Sequence, residues 1–184
     1  MEILGRRIGV RKAIMTTVHG YTASQAIVDA PHTHARRGRA GAANLVPTST
    51  GAAAATTRAL PEYRGRFDGV AVRAPVPVGS LADIVTLTAR PTTVHEVNRV
   101  FTEEAESERY RGVLGVTMDP VVSSDIVKDP RASVVDLGMT QVVDGDLIKV
   151  MSWYDNEWGY SSQLVREALR IASVKHRSTA MSER

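Results

Sequence analysis

Cysteine is absent from the 184-residue sequence, and no long apolar run occurs in it. The lack of cysteine excludes disulfides, a nucleophilic thiol and a thiolate metal site within these residues. No apolar segment approaches membrane-spanning length, and the first residues include no secretory hydrophobic segment. Glycine-rich dinucleotide and P-loop fingerprints are also missing, so any nucleotide-binding domain is expected outside this sequence. We therefore expect a cytoplasmic protein without a membrane partner and without a metal site.

The composition is that of one globular domain, alone or with a tail. Hydrophobic residues make up 43% of the chain and charged residues 23%, which suits a protein with a substantial core. The formal net charge is only +3, which does not favour nucleic acid binding by bulk electrostatics. Basic residues nevertheless crowd residues 1–40, where the only acids are Glu2 and Asp29. This region contains Arg6, Arg7, Arg11, Lys12, Arg36, Arg37 and Arg39. The imbalance favours a small anion, such as phosphate, as a ligand there.

Residue patterns predict an α+β fold: a mixed, largely antiparallel sheet with about three helices on one face. Predicted strands lie at about Lys12–Val18 and at 67–77, 80–90, 112–118, 121–127, 132–138 and 146–154. Predicted helices lie at 1–9, where the beginning of the helix is missing, at 49–61, at 92–108 with Thr92 or Thr93 as cap, and at 156–172. The last helix should turn Leu164, Val165, Ala168, Leu169 and Ala172 inward. Asp144-Gly145 predicts a hairpin turn, and residues 20–44 predict a long functional loop.

Single residues of this sequence allow two interpretations each. His19 ends a strand and is either structural or one member of a catalytic pair. Arg73 lies inside an apolar strand, where it either emerges at the sheet edge or requires an anion. Thr50-Gly51 at a helix start either caps the helix or binds an anion. Considered together, two arginines, two threonine hydroxyls and a helix N-terminus suit two phosphates near one histidine.

Several longer motifs carry a family resemblance. The segments MTTVHGYTASQAIVDA, RRGRAGAANLVPTSTGAA, VAVRAPVPVGSLADI, VVSSD and IKVMSWYDNEWGYS occur in this order. They resemble the catalytic domain of phosphorylating glyceraldehyde-3-phosphate dehydrogenase, from about residue 10 to residue 172. The resemblance implies a homo-oligomer, a tetramer in the family, and NAD or NADP bound mainly by a Rossmann domain outside this sequence. The substrates implied are glyceraldehyde 3-phosphate and inorganic phosphate, which yield 1,3-bisphosphoglycerate in glycolysis or gluconeogenesis.

The resemblance also implies a role for each site residue. His19 is expected to lower the thiol pKa and to act as general base and acid. Thr22 and Arg73 are expected to bind the substrate phosphate. The expected ligands of inorganic phosphate are Arg37, Thr50 and Gly51, and those of the nicotinamide are Asn156 and Tyr160. Bidentate pairing with phosphate is a reason for arginine rather than lysine at 37 and 73.

The departure from the family pattern concerns the nucleophile. The family's cysteine segment is expected roughly ten residues before Met1, so residues 1–172 are expected to be a catalytic domain truncated at its first helix. Residues 173–184 are expected to form a polar tail. As an isolated chain the protein is expected to be inactive.

Two other functions remain open. One is a non-catalytic module that binds phosphate or oligomerises through its sheet face, and the other is an erythrose-4-phosphate dehydrogenase. The sequence leaves undecided whether NAD or NADP binds, and whether the chain folds or oligomerises alone.

Overall fold

The computed structural model describes the backbone of residues 1–182 and the side chains of residues 1–173. Its centre is a mixed seven-stranded sheet, with the strands in the order β2-β3-β1-β4-β7-β6-β5. The pairs β1–β3 and β5–β6 are parallel, and the other neighbouring pairs are antiparallel. The predicted α+β class and mixed, largely antiparallel sheet are therefore confirmed.

The strands are β1 Val10–Gly20, β2 Val46–Ser49, β3 Phe67–Ala74, β4 Ser80–Thr88, β5 Leu114–Thr117, β6 Ser133–Val143 and β7 Leu147–Tyr154. The α-helices are α1 Glu2–Arg7, α2 Ala52–Ala59, α3 Val94–Glu106 and α4 Trp158–Ser182. Short 3₁₀ turns lie at Ala35–Gly38, Pro61–Tyr63 and Ser123–Ile126. No helix in the described part of the chain is both long and apolar enough to cross a membrane.

The core lies between one face of the sheet and helices α1, α2 and α3. Helix α3 buries Val97, Val100 and Phe101 in it, and the spacing of these residues puts them on one side of the helix. Thr93 caps this helix by accepting a hydrogen bond from the backbone N–H of Glu96. The opposite face of the sheet, around β1, β3, β4 and β7, leaves apolar side chains exposed, Ile14 and Val70 among them.

Two local predictions in the sequence differ from the structure. Residues 121–127 contain a 3₁₀ turn at Ser123–Ile126 rather than a strand, because the Asp125 carboxylate accepts the backbone N–H of Val122 at 2.7 Å. Such local bonding competes with a strand ladder. The short strand β2 was not predicted, since Pro47 interrupts its pattern; at the sheet edge Pro is tolerated.

The connection between β3 and β4 crosses the end of β1. Although only a short Pro/Gly segment joins them, β3 and β4 are not neighbours, because β1 lies between them. The connecting backbone passes so close to Gly20 that a Cβ there would lie 2.9 Å from the carbonyl oxygens of Val76 and Pro77. Glycine at this position therefore lets the crossing segment close over the strand end that follows His19.

Helix α4 differs most from the prediction. It runs on to Ser182 instead of ending near Ala172. Of the predicted tail at residues 173–184, only Ser173 has a described side chain. The apolar residues expected to point inward face solvent, with Leu164, Val165 and Leu169 at 58%, 60% and 67% exposure. The helix instead contacts the body through polar groups: Gln163 donates to the carbonyls of Gly112 and Pro130.

Candidate functional site

One edge of the sheet gathers the chemically active side chains. Strands β1 and β3 are parallel and in register at His19 and Arg73, so both residues reach the same edge. Strand β4 begins there at Ser80, which pairs with Tyr154 at the end of β7. Alternation along the strands puts His19, Arg73, Ser80 and Tyr154 on the helix-covered face. The site therefore lies on the helix-covered face of the sheet, at the ends of β1, β3 and β7 and the start of β4.

His19 has two polar neighbours at Nδ1. The carbonyl oxygen of Gly20 lies 2.7 Å from Nδ1, and Nη1 of Arg73 lies 2.8 Å from it. The ring of Tyr154 packs edge-on against the imidazole, with the ring centroids 5.9 Å apart. Burial lowers the pKa of His19 and the Arg73 charge lowers it further, whereas the Gly20 carbonyl acts in the opposite direction. His19 is thus biased toward the neutral imidazole that a general base requires.

Arg73 is a partly buried cation without a carboxylate partner among the described residues. Its Nη1 donates to the Gly20 carbonyl at 3.1 Å, and its Nε is buried with no hydrogen-bond partner. Burial lowers the pKa of Arg73, and the nearby charge of Arg37 lowers it further. Two guanidinium groups that repel one another beside unsatisfied N–H donors favour an anion between or beside them.

The predicted seat of the second phosphate is only partly assembled. Nε of Arg37 donates to Oγ1 of Thr48 at 2.9 Å, which holds the guanidinium against β2. Thr50 accepts the backbone N–H of Ala52 at 3.1 Å, so its hydroxyl orders the approach to α2. Gly51, the N-cap residue, has no side chain to cap the helix, and no heavy atom lies within 4 Å of where its Cβ would be. The start of α2 is therefore open to a small ligand.

No hydrogen bond joins Thr22 to Arg73 within the described residues. Its hydroxyl lies 2.9 Å from Oγ of Ser24, and its backbone N–H donates to the side-chain oxygen of Gln25 at 3.3 Å. These contacts form a local turn directly after β1. Thr22 is thus close in sequence to His19, but it is joined to the histidine–arginine pair by no hydrogen bond within the described residues.

Asn156 is oriented by a residue that the sequence did not single out. Ser80, which is fully buried, donates to Oδ1 of Asn156 at 2.9 Å and accepts the backbone N–H of Gly20 at 3.2 Å. The amide nitrogen Nδ2 of Asn156 is buried without a partner. Asn156 lines a cavity of about 280 Å³ together with Tyr154 and Tyr160. An unpaired buried N–H donor in a cavity suits a ligand with a carbonyl oxygen.

Sequence reasoning missed three residues near the site: Ser80, Tyr154 and Asp155. Ser80 and Tyr154 are at strand ends that come together only through the β4–β7 pairing. Asp155 is buried and caps α4, because one carboxylate oxygen accepts the backbone N–H groups of Glu157 and Trp158 at 2.8 and 2.7 Å. An aspartate just before a helix is a cap signal that the sequence did offer.

Three of the seven basic residues near the N-terminus are paired with carboxylates. Arg6 and Arg7 pair with glutamates of α3, and Arg39 pairs with Asp29 at 2.9 Å. Among the remaining basic residues, Arg37 lies near enough to Arg73 for its charge to lower the pKa of Arg73.

Comparisons with known proteins identify one family. Residues 1–156 match the family described as "Glyceraldehyde 3-phosphate dehydrogenase, C-terminal domain". Over 164 residues the chain is 49% identical to glyceraldehyde-3-phosphate dehydrogenase 2 of Streptomyces avermitilis. Over the same length it is 47% identical to glyceraldehyde-3-phosphate dehydrogenase of Streptomyces coelicolor and 48% to that of Mycobacterium leprae. Each match covers 89% of this chain, which spans only about half the length of these relatives.

Proposed function

Because the chain belongs to the glyceraldehyde 3-phosphate dehydrogenase C-terminal domain family, we propose that it supplies the acid–base and phosphate-binding part of such an enzyme. The reaction would oxidise glyceraldehyde 3-phosphate and join the product to inorganic phosphate. The observation that carries the proposal is the contact of Arg73 with His19: a cation without a carboxylate partner lies against a neutral imidazole. Such an enzyme would act in the cytoplasm.

Each proposed role depends on the hydrogen-bonding groups that remain unpaired on the side chain. Nε2 of His19 takes the proton of the attacking thiol, while Nδ1–H donates to the carbonyl oxygen of Gly20. Arg73, with Thr22, binds the substrate phosphate. Arg37 binds the attacking phosphate through its remaining N–H groups, with the open start of α2 at Thr50 and Gly51 beside it. The thiol itself would belong to a segment outside these 184 residues.

Asn156 and Tyr160 fit a nicotinamide cofactor. The unpaired Nδ2 of Asn156 can donate to the carboxamide oxygen, while Ser80 holds the other end of the amide. Tyr160 borders the same cavity. When bound, NAD or NADP supplies the hydride acceptor. Most of its binding site would lie in a Rossmann domain outside this chain.

The experiment joins this chain to the part of the Streptomyces avermitilis relative that the chain does not match. We expect the fusion to reduce NAD or NADP with glyceraldehyde 3-phosphate and inorganic phosphate, and comparison of the two cofactors identifies the one used. His19→Asn should lower the rate of hydride transfer in the first turnover by about 10²–10⁴-fold, as loss of a general base does. The exposed His95 on α3 provides the control, and His95→Asn should leave the rate unchanged.

Two results would count against the proposal. An active fusion whose first turnover is as fast with His19→Asn would remove His19 from proton transfer. A folded fusion that accepts erythrose 4-phosphate in preference to glyceraldehyde 3-phosphate would assign the related erythrose-4-phosphate activity instead. The relatives reported above are all named for the glyceraldehyde 3-phosphate reaction.

A further inference from the structure

Gln25 is a buried amide in a loop whose neighbouring residues are exposed. It lies in the segment between β1 and β2 and is 8% exposed, whereas Ile27 and Val28 are 83% and 73% exposed. An amide that is removed from water needs hydrogen-bond partners within the protein. The partners of Gln25 therefore indicate why a polar side chain is buried here while apolar side chains close by are not.

Gln25 holds both backbone groups of Thr22. Its side-chain oxygen Oε1 accepts the Thr22 N–H at 3.3 Å, and its own backbone N–H donates to the Thr22 carbonyl at 2.9 Å. The hydroxyl of Thr22 takes part in neither contact and lies 2.9 Å from Oγ of Ser24 at the surface. Gln25 therefore fixes the backbone from which the Thr22 hydroxyl projects.

Thr22 has no support from outside its own turn. The residue before it, Tyr21, is still attached to the connection between β3 and β4, because its N–H donates to the carbonyl of Val76 at 3.0 Å. Within the described part of the chain, the hydrogen bonds of Thr22 go to Ser24 and Gln25. Ser24 contacts only the hydroxyl of Thr22, so the position of the Thr22 backbone depends on Gln25.

The residue after Gln25 connects the same segment to Arg37. The backbone N–H of Ala26 donates to the Arg37 carbonyl at 3.1 Å, and the Ala26 carbonyl accepts the N–H of Gly41 at 2.9 Å. Thr22 and Arg37 are far apart along the loop, yet they are attached to two consecutive residues. One short segment, Gln25-Ala26, therefore sets the position of both.

The returning backbone of the loop packs directly on the Gln25 amide. A Cβ added at Gly41 would lie 3.3 Å from Nε2 of Gln25 and 3.3 Å from Cβ of Tyr21. Nε2 itself is buried and has no hydrogen-bond partner within the described residues. A methionine of similar length would fill this space without an unpaired donor, so burial alone does not account for a glutamine. The part of the amide that has a partner is the oxygen, and that partner is Thr22.

We propose that Gln25 is a positioning residue that keeps Thr22 and Arg37 at the spacing that two bound phosphates require. This role rests on the phosphate-binding functions proposed above for these two residues. A loop residue that is already ordered loses less conformational entropy when its ligand binds. Without the Gln25 contact the phosphates themselves would have to order this part of the loop, and both would bind more weakly.

The test measures phosphate binding at the two residues separately. The ¹⁵N-labelled 184-residue chain is titrated with inorganic phosphate at constant ionic strength, and the backbone amide of Thr22 and Nε of Arg37 report binding at each site. Gln25→Met keeps the size of the side chain and removes the acceptor of the Thr22 N–H. We expect the dissociation constant for phosphate to rise about 3- to 10-fold at both reporters, because residues that were ordered beforehand must now be ordered on binding.

A matched control and a second variant separate positioning from a general loss of structure. Gln141→Met makes the same change at an exposed glutamine of β6 and should bind phosphate like the unmodified chain. Gln25→Asn keeps the amide but is one methylene too short to reach the Thr22 N–H, so it should weaken binding at both reporters, also where the methionine variant fails to fold. The urea midpoint of each folded variant should stay close to that of the unmodified chain.

The outcomes separate this role from the function on which it rests. Unchanged phosphate binding in a folded Gln25 variant would overturn the positioning role and leave the phosphate sites standing. A loss confined to Thr22, with Arg37 unaffected, would overturn it as well, and so would a loss of binding that only accompanies a lower urea midpoint. An unmodified chain in which phosphate shifts neither Thr22 nor Arg37 would contradict the proposed function itself.

Discussion

At the scale of single residues, the identity of a neighbour determines what each group in the site can do. Burial lowers the pKa of His19 beside Arg73, and within the described residues Arg73 has no carboxylate partner for its charge. Asn156 is fixed at one end by Ser80 and unpaired at the other. In each case a contact holds one part of the side chain and leaves a hydrogen-bonding group on another part free for a ligand.

Arg73→Ala should impair phosphorylated substrates selectively, because the alanine variant loses a charge-assisted hydrogen-bond donor that an unphosphorylated aldehyde never uses. In the fusion enzyme we expect kcat/KM for glyceraldehyde 3-phosphate to fall by about 100-fold or more. The value for glyceraldehyde should change by less than about threefold if the contact is lost cleanly.

Steady-state kinetics with both aldehydes check this expectation, and Arg11→Ala on the same strand is the matched control. Equal losses on the two aldehydes would make Arg73 a structural residue rather than a phosphate ligand.

At the scale of secondary-structure elements, α1 is fastened to α3 by apolar packing and by charge. Leu4 of α1 is 1% exposed, and Val97 of α3 is fully buried. Above this contact the carboxylate of Glu104, itself buried, accepts hydrogen bonds from both Arg6 and Arg7. Arginine side chains from one helix thus converge on a single carboxylate of the other.

Because of Glu104, the free energy of unfolding should fall as the pH is lowered. The hydrogen bond from Arg6 holds the pKa of Glu104 below its ordinary value of 4.5, with burial opposing this and Arg7 assisting it. The folded chain therefore binds fewer protons at Glu104 than the unfolded chain does. The resulting stability is complete above about pH 5 and declines as the pH falls through 4.5 toward the lowered native value.

Urea unfolding at pH 7 and pH 4 checks this prediction. Glu104→Gln should be less stable than the unmodified chain at pH 7, and the difference should shrink at pH 4. Glu106→Gln, which changes another glutamate of α3, provides the control. A Glu104→Gln variant that lost as much stability on acidification as the unmodified chain would show that the acid dependence arises elsewhere.

At the scale of the whole molecule, one face of the sheet lacks a covering layer in the described structure. On this open sheet face Ile14 pairs with Val85, and Leu87 pairs with Leu147. Ile14, Val70 and Leu147 are 58%, 52% and 40% exposed. These exposed apolar side chains share the face with the ion pair of Lys149 and Asp83. Exposed apolar surface is typical of an interface, which supports the proposal that copies of the chain associate through this face.

Ile14→Lys should weaken that association, because it introduces a charge into the proposed interface. Sedimentation equilibrium is expected to show an oligomer for the unmodified chain and a lower-mass species for the variant. Val122→Lys is a matched control, since Val122 has the same 58% exposure as Ile14 but lies beyond β5. A monomeric unmodified chain, or an oligomer that both variants leave intact, would exclude the open sheet face as the contact.

Local sequence patterns predicted the structure correctly where a short stretch contains its own cap or turn residues. Thr92 or Thr93 before an amphipathic repeat was predicted as the cap of α3, and Thr93 is the cap. Asp144-Gly145 predicted the turn between β6 and β7, where both residues adopt positive φ. Residues 121–127 were misjudged because their apolar and β-branched composition resembles a strand, while a single aspartate hydrogen bond turns the chain instead.

The sequence by itself determined most of the elements and the family, and it named the candidate residues for phosphate binding and proton transfer, because those properties depend on side-chain chemistry and near neighbours. Only the tertiary structure decided that β1 separates β3 from β4, that His19 and Arg73 are in register, and that Ser80 holds Asn156. Contacts of this kind join residues far apart in the chain. They depend on strand order and register, which packing of the whole sheet sets and no local pattern encodes.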